Sequence, residues 1–324
     1  MEPKSHLVTG GAGFVAKTLI ERLLERGERV VALDNLSRGS KSFVSGFSRS
    51  DRFRLEALDC ADFDAIATVA SAEHARQPIG HIWHLAANSD IPGGIADPAI
   101  DLKDTFLTTF AVLRLARSLE IENLHFASSS AIYGDLGDTP AHEDAGPLQP
   151  ISNYGAMKLA SEAQIRASVE AFLPRADIFR FPNVIGVPAT HGVIVDFVRK
   201  LSATPHQLQV LGNGSQRKPY LHVEDLVDAM IFISEMASER YNVFNIGPRD
   251  DGVSVQFIAE AVRDRVAPTA EIHYGTADRG WVGDVPRFRY STDRLRELGW
   301  SPKLGSREAV LKAVDQIAVQ EIGG

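Results

Sequence analysis

Tyr154 and Lys158 stand four residues apart, inside a stretch whose pattern predicts a helix over Asn153–Ala171. Side chains at that spacing share a helix face, so a phenol and an ammonium are brought together. A tyrosine ordinarily ionises at about pH 10, too high for a base near neutrality. A neighbouring ammonium favours the phenolate and lowers that value. Such a pair could take a proton from a hydroxyl, although on an arbitrary helix the same spacing gives an ordinary surface pair. Ser128, Ser129 and Ser130 follow a predicted strand over residues 123–127. Hydroxyls at the carboxyl end of a strand stand where open α/β sheets hold their ligands. Taken alone, three serines are also a common turn.

A second cluster lies near the start. Thr9-Gly10-Gly11-Ala12-Gly13-Phe14-Val15-Ala16 separates a predicted strand from a predicted helix. Glycine there lets the backbone approach a pyrophosphate, whose charge the helix N-terminus favours. A tight turn would use the same residues, and Ala16 stands where a third glycine is common. Asp34 ends the second predicted strand, about 20 residues on, where a carboxylate can accept from the ribose hydroxyls of a dinucleotide. A carboxylate there repels a 2′-phosphate, which favours NAD over NADP, while Arg38 nearby pulls the other way.

The elements that must position these residues alternate. Strands are predicted at residues 6–9, 29–33, 53–57, 81–85, 123–127 and 177–181, with helices at 14–26, 101–119 and Asn153–Ala171. Strand alternating with helix implies a parallel sheet covered on both faces. After residue 182 the rhythm breaks at Pro182, Pro188, Pro205, Gly212, Gly214 and Pro219. A helix at Val223–Met236 and a strand at 242–246 then return to the sheet. The division expected is a cofactor domain over residues 1–182, with a returning segment near 220–246. Residues 183–324 are mainly a smaller substrate domain.

Composition excludes several classes. The chain has 324 residues, 44% apolar and 23% charged, which suits a globular protein and not a disordered one. Basic side chains number 34 against 42 acidic, a net charge of −8, so a nucleic-acid footprint is not expected. The lone cysteine, Cys60, builds neither a disulfide framework nor a cysteine zinc site, and no metal site is expected. No apolar run reaches the roughly 18 residues of a membrane helix, and no signal-peptide core precedes the first strand. The expectation is a cytoplasmic protein without membrane contact.

In family order over nearly the whole chain, the sequence resembles the extended short-chain dehydrogenase/reductases, in their nucleotide-sugar epimerase/dehydratase branch. The matching segments are residues 9–16, 34–39, Leu58-Asp59, His84-Leu85-Ala86-Ala87, 128–134, Tyr154-Gly155-Ala156-Met157-Lys158, Arg180-Phe181-Pro182-Asn183, 217–225, Asn245-Ile246-Gly247 and 280–284. The resemblance implies an α/β fold: a Rossmann-type doubly wound parallel sheet with a smaller mixed α/β substrate-binding domain. It implies NAD held by Gly10, Gly13, Phe14, Val15, Asp34, Asn35, Arg38, Gly39, Asp59, Cys60, Leu85, Ala86, Ala87, Phe181, Tyr154 and Lys158. Without it, Asp59 reads as a loop residue, Cys60 as a small buried filler and His84 as a core histidine.

The family's bridging Ser/Thr aligns with Ser129, and Ser130 is next best. A sugar nucleotide would be met by Ser129, Asn183, Arg217, Lys218, Tyr220, Arg279 and Asp284, the last two bracketing Trp281. The family's phosphate-binding arginine aligns with Lys218, with Arg217 beside it. His222 reads as structural, and His191 lies near the expected base-binding loop. The implied partners are a nucleoside-diphosphate sugar and a second copy of the chain, paired through the 101–119 and 153–171 helices. A monomer in light scattering would overturn that pairing. Two departures stand out. Thr105 replaces a common asparagine. The Asp-Glu pair that dehydratases carry directly after the bridging residue is here Ser130-Ala131. An NAD-dependent 4-epimerase acting through a 4-keto sugar is therefore expected, with UDP-glucose and UDP-galactose as the default pair. A dehydratase, decarboxylase, ketoreductase or epimerase on another sugar nucleotide is the alternative, and a non-catalytic NAD sensor the third.

Overall fold

Short segments of apolar and aromatic residues form seven strands in the computed structural model, which describes residues 4–137, 139–277 and 288–323. They are β1 (Ser5–Thr9), β2 (Arg29–Asp34), β3 (Phe53–Ala57), β4 (Ile79–His84), β5 (Asn123–Ala127), β6 (Arg175–Arg180) and β7 (Tyr241–Asn245). Their order in the sheet is β7-β6-β5-β4-β1-β2-β3. β1 to β6 pair in parallel. The order reverses at β1, between β2 and β4, the switch point beside which such sheets bind ligands. The fold is the expected Rossmann-type doubly wound sheet.

Contacts divide the chain into two units. The first is Met1–Ile132, Leu148–Arg180 and Met230–Phe244; the second is Tyr133–Pro147, Phe181–Ala229 and Asn245–Gly324. Residues 133–147, left with the cofactor domain in the sequence-based division, thus group with the second unit.

In the first unit, helices α1 (Phe14–Glu25), α2 (Phe63–Arg76), α3 (Thr108–Ser118) and α4 (Asn153–Ala171) cover the sheet. Asp62 caps α2 by accepting from the amides of Asp64 and Ala65, and Ser152 caps α4 by accepting from Gly155. The helix expected over 101–119 is not regular. Pro98–Asp101 is one α-turn, Leu102–Leu107 is π-helical, and only then does α3 begin. The hydroxyl of Thr108 donates to the Asp104 and Thr105 carbonyls, and that of Thr109 to Thr105, each about 3.0 Å away. These bonds satisfy carbonyls around the widened turn.

One face of the sheet is aliphatic: Leu7, Val31, Leu33, Ile82, Leu124, Phe126 and Ile178 pack with Ile66, Val112, Leu115, Ile165 and Val169 of the helices. The period-two alternation sends a different set to the other face. There His6, His81, Trp83, His125 and Phe179 stack across neighbouring strands, with the Trp83–His125 centroids 4.0 Å apart. Trp83 Nε1 donates to His6 Nδ1 at 3.0 Å, His81 Nδ1 lies 3.0 Å from His125 Nε2, and His125 Nδ1 lies 2.9 Å from Asp177. Asn242 donates to the same carboxylate at 2.7 Å.

Burial pushes His81 down to about 2 and His84 to about 3, and it also lowers His125 against the pull of Asp177. The folded chain therefore refuses protons that the unfolded chain accepts below about pH 6.5. Stability is full above that value and falls as the pH drops towards the folded values. The slope is about 1.4 kcal/mol per pH unit for each such histidine. The melting temperature should decline steeply on acidification, and His81→Gln should flatten the decline. An unchanged slope would remove His81 from this account.

The second unit has its own core. Ile194, Phe197 and Val198 meet Leu208, Ile258, Val262, Val310, Val314 and Ile317 there. Three two-stranded pairs frame it: Asn183–Ile185 with Tyr220–His222, Arg217–Lys218 with Val253–Ser254, and Gln207–Val210 with Glu271–Tyr274. Asn245, fully buried, is a hub. Its side chain accepts from Tyr133 at 2.7 Å and donates to the carbonyls of Ala141 and Ser291 at 3.0 and 2.9 Å.

Candidate active site

The turn between β1 and α1 is shaped for close approach. Gly10 has φ +66°, and a Cβ there would stand 2.9 Å from the Ala86 nitrogen. A Cβ on Gly39 would meet the Ala12 carbonyl at 2.8 Å and Asp34 Oδ2 at 2.9 Å. Gly13 opens α1 with no side-chain cap, so the first amides of the helix face outward as donors for an anion. Asp34, at the end of β2, accepts from the Ala12 amide at 3.0 Å and the Leu36 amide at 2.7 Å. It thereby fastens the glycine turn to the end of β2. Asn35 accepts from the Ser37 amide, and Arg38 pairs with Asp90 at 3.2 Å. Phe14 and Val15 form the first turn of α1.

Cys60 is 4% exposed and its thiol is pushed up to about 12 by burial, so it is the small buried filler its type suggests. Asp59 holds the Ala61 amide at 2.9 Å and pairs with Lys103 at 2.8 Å. Leu85 and Ala86 close against Gly10. The Thr9 hydroxyl sits 2.7 Å from His84 Nδ1 and accepts from the Ala86 amide at 3.3 Å, while His84 Nε2 lies 3.0 Å from Thr109. His84 is a satisfied core histidine that fixes this exit from β4. A glycine cradle that side chains would fill, uncapped amides and a carboxylate at the strand end fit a dinucleotide.

Ser129, Tyr154 and Lys158 come together in the first unit. Gly155 explains how α4 gets close enough: a Cβ there would lie 2.5 Å from the Ala131 carbonyl. Burial pushes the Tyr154 phenol up to about 12; a hydrogen bond to Ser129 pulls it back, and Asp101 adds to the rise. Lys158, 1% exposed, donates to the Ala127 carbonyl at 2.5 Å and lies 4.6 Å over the Phe126 ring. Burial draws it down to about 7, and Glu162 acts against that. Here the expectation of a lowered tyrosine needs amendment: desolvation outweighs what the chain's own groups supply. Ser130 opens the short 3-10 turn Ser130–Tyr133.

Asp101 went unnoticed in the sequence because nothing in its spacing marks it. It is fully buried, and burial raises its carboxyl, opposed by Asn88 and aided by Asp104 and Asp90. Asn88 donates to Asp101 Oδ1 at 2.9 Å, and its amide donates to Thr105 at 3.2 Å. Thr105, the departure from the family pattern, thus holds the segment that follows Ala87.

In the second unit Asn183 pairs in register with Tyr220, and Lys218 lies two residues before Tyr220 on the separate strand Arg217–Lys218, which pairs with Val253–Ser254. Asn183 is exposed at its strand start, whereas Tyr220, 5% exposed, belongs to the core. Tyr220 therefore packs, and its amide donates to Ser306 at 3.2 Å. Arg217 donates to the Gly252 carbonyl at 2.7 Å. Phe181 opens the second unit's run and is half-buried. His222 bonds Gln316 at 3.0 Å, as a structural residue would, and His191 contacts Thr190. Arg279, Trp281 and Asp284 lie outside the described residues.

The model of the NAD dependent epimerase/dehydratase family matches residues 6–247, three quarters of the chain and every residue of the cradle and the Ser-Tyr-Lys group. The chain belongs to the NAD dependent epimerase/dehydratase family. A UDP-glucose 4-epimerase of Mycolicibacterium smegmatis is 29% identical over 315 residues, 95% of this chain and 97% of its own. A solved UDP-galactose 4-epimerase superposes with a TM-score of 0.85 at 33% identity, covering 98% of this chain and 99% of its own. A Thermus thermophilus UDP-glucose 4-epimerase solved with NAD gives 0.82 at 27% identity, over 97% and 98%. As an NAD-dependent enzyme of the epimerase/dehydratase family, the chain would hold its cofactor through the Gly10–Gly13 turn, Asp34 and the β4 exit. Among the described residues no helix is long and apolar enough to cross a membrane, and no cluster is placed to hold a metal.

Proposed function

We propose that the enzyme interconverts the C4 epimers of a nucleoside-diphosphate hexose, with UDP-glucose and UDP-galactose as the first pair to test. The names of its relatives support the substrate class. The observation that carries the choice of reaction is that Lys158 Nζ lies 5.8 Å over the Tyr154 ring on one face of α4, with Ser130 and Ala131 next along the chain from Ser129. The pair supports Tyr154 as the proton acceptor for the C4 hydroxyl once the cofactor ring is beside it, and the two positions that dehydratases fill with carboxylates hold a hydroxyl and a methyl group.

Bound NAD supplies a hydride acceptor and donor and a positive ring that favours the phenolate. Tyr154 Oη takes the proton of the C4 hydroxyl, and Ser129 hydrogen-bonds the same substrate oxygen. Lys158 opposes the negative charge that collects on the phenol. After the 4-keto sugar has turned over, the proton returns from Tyr154 to the oxygen. Asn183 with Lys218 or Arg217 would hold the diphosphate while the sugar turns. A homodimer belongs to the same proposal, supported by Leu102, Leu107 and Phe110, which stay exposed on the π-turn and α3.

Incubation with a panel of nucleotide sugars, read by mass spectrometry and NMR, should give a product of equal mass and inverted C4. Loss of water or carbon dioxide would establish a dehydratase or decarboxylase instead. Bound NAD with no turnover on the whole panel would favour a sensor.

A further inference from the structure

Glu162 lies one turn beyond Lys158 on α4 and is 3% exposed. Arg180 of β6, 6% exposed, grips it with two donors, NH2 to Oε2 at 2.6 Å and Nε to Oε1 at 3.0 Å. The hydroxyl of Ser128, at the end of β5, donates to Oε1 as well. A buried ion pair is no economical way to fill a core, since apolar residues of equal volume serve as well or better. Its placement suggests another use. Lys158 is the second buried cation here, and it meets the Ala127 carbonyl and the rings of Phe126 and Tyr154, none of them a carboxylate.

The groups facing Lys158 can be taken element by element. From β4 comes His84, which burial keeps neutral. From β5 come Phe126, Ala127 and Ser128, and from β6 Arg180, which is committed to Glu162. α4 itself gives Tyr154 and Glu162, and the turn before the π-helix gives Asp101, which acts on Tyr154. Among these, Glu162 is the carboxylate that acts on Lys158.

We propose that Glu162, clamped by Arg180 and Ser128, is a positioning residue for the proton transfer: from one turn away on α4 its negative charge favours the ammonium form of Lys158 and so, through Lys158, the Tyr154 phenolate. The proposal rests on Tyr154 being the base. The clamp has a second effect on geometry. With the Ser128 hydroxyl tied to Glu162 and its amide donating to the Phe179 carbonyl at 2.8 Å, the strand end is fixed and Ser129 is the hydroxyl left to meet Tyr154. Without the carboxylate, burial alone would act on Lys158 and draw it below the value of about 7 that it has with Glu162 beside it, weakening its hold on the phenol.

The experiment uses the NAD-loaded protein with no sugar nucleotide, so its outcome is independent of which epimers are interconverted. Ultraviolet difference titration, with Tyr154→Phe as the reference, isolates the ionisation of Tyr154. In Glu162→Gln that ionisation should move up by about one pH unit or more, the low end of what a nearby charge does. Glu162→Asp should restore part of the shift. Because Glu162→Gln orphans a buried guanidinium and can unfold the chain, the paired variant Glu162→Gln/Arg180→Met removes both charges and should also shift the ionisation upward, by less than the single variant because the opposing guanidinium is gone too. A folded, NAD-bound variant of either kind whose Tyr154 ionises where the parent's does would overturn the proposal.

Discussion

Replacing Tyr154 by phenylalanine should lower turnover by about 10²–10⁴-fold while leaving NAD bound, the range that positioned proton transfer supplies. The ring stays, so α4 keeps its seat against the Ala131 carbonyl, and what disappears is the phenol oxygen that Ser129 meets. The loss should fall on the chemical step. Steady-state kinetics should show kcat collapsing with KM little changed, and equilibrium dialysis should show parent-like NAD occupancy. A variant keeping half of the parent rate would remove Tyr154 from its role. The raised phenol sharpens the expectation. A group held up to about 12 by burial is a poor base until charge is placed beside it. The parent enzyme should therefore be sensitive to whatever alters Lys158 or the cofactor ring.

Asp34→Ala should weaken NAD by roughly 10- to 100-fold and narrow the preference over NADP. Two effects add. The ribose acceptor and its repulsion of a 2′-phosphate vanish together, and a hydrogen bond to a charged group is worth about 1.5–3 kcal/mol. The Ala12 and Leu36 amides also lose their partner, so the glycine turn is no longer fastened to β2. Isothermal titration of the cofactor-stripped protein with each dinucleotide would measure both affinities. Parent-like NAD affinity in the variant, or a parent that prefers NADP, would refute the role given to Asp34.

Much of the first unit is legible because its signals are local. Short apolar strands, a glycine turn and a carboxylate about 20 residues on are set by backbone sterics and strand length, which a sequence carries openly. The Tyr154–Lys158 face is legible for the same reason. The Glu162–Arg180 pair is not, because the partners are separated by a helix end and a strand, and nothing in either segment says that both charges are buried. A glutamate four residues after Lys158 was a usable hint, since it shares that face. Tyr220 is another position that local signals do not resolve: nothing in its segment says that its ring is 5% exposed and packed in the second core. Residues 133–147 meet the second unit at the Asn245 hub, whose partners are Tyr133 and Ala141 of that stretch and the distant Ser291.

The π-helical turn at Leu102–Leu107 has a consequence for how this segment tolerates change in length. A π-turn holds one residue more than an α-turn, so it marks a place where the chain is, in effect, one residue overfull. Its presence sets the phase between two halves of one rod: Asp101 points inward before it and Thr105 within it, Thr109 reaches His84 beyond it, and Phe110 stays outside. Removing one residue there would relax the backbone into an ordinary helix, locally more comfortable, yet would turn everything before it by about 100° relative to everything after. Either Asn88 or His84 would then lose its partner. The segment is thus a spot where a sequence that is easier to fold into a helix makes a worse enzyme, and where substitutions are far safer than deletions.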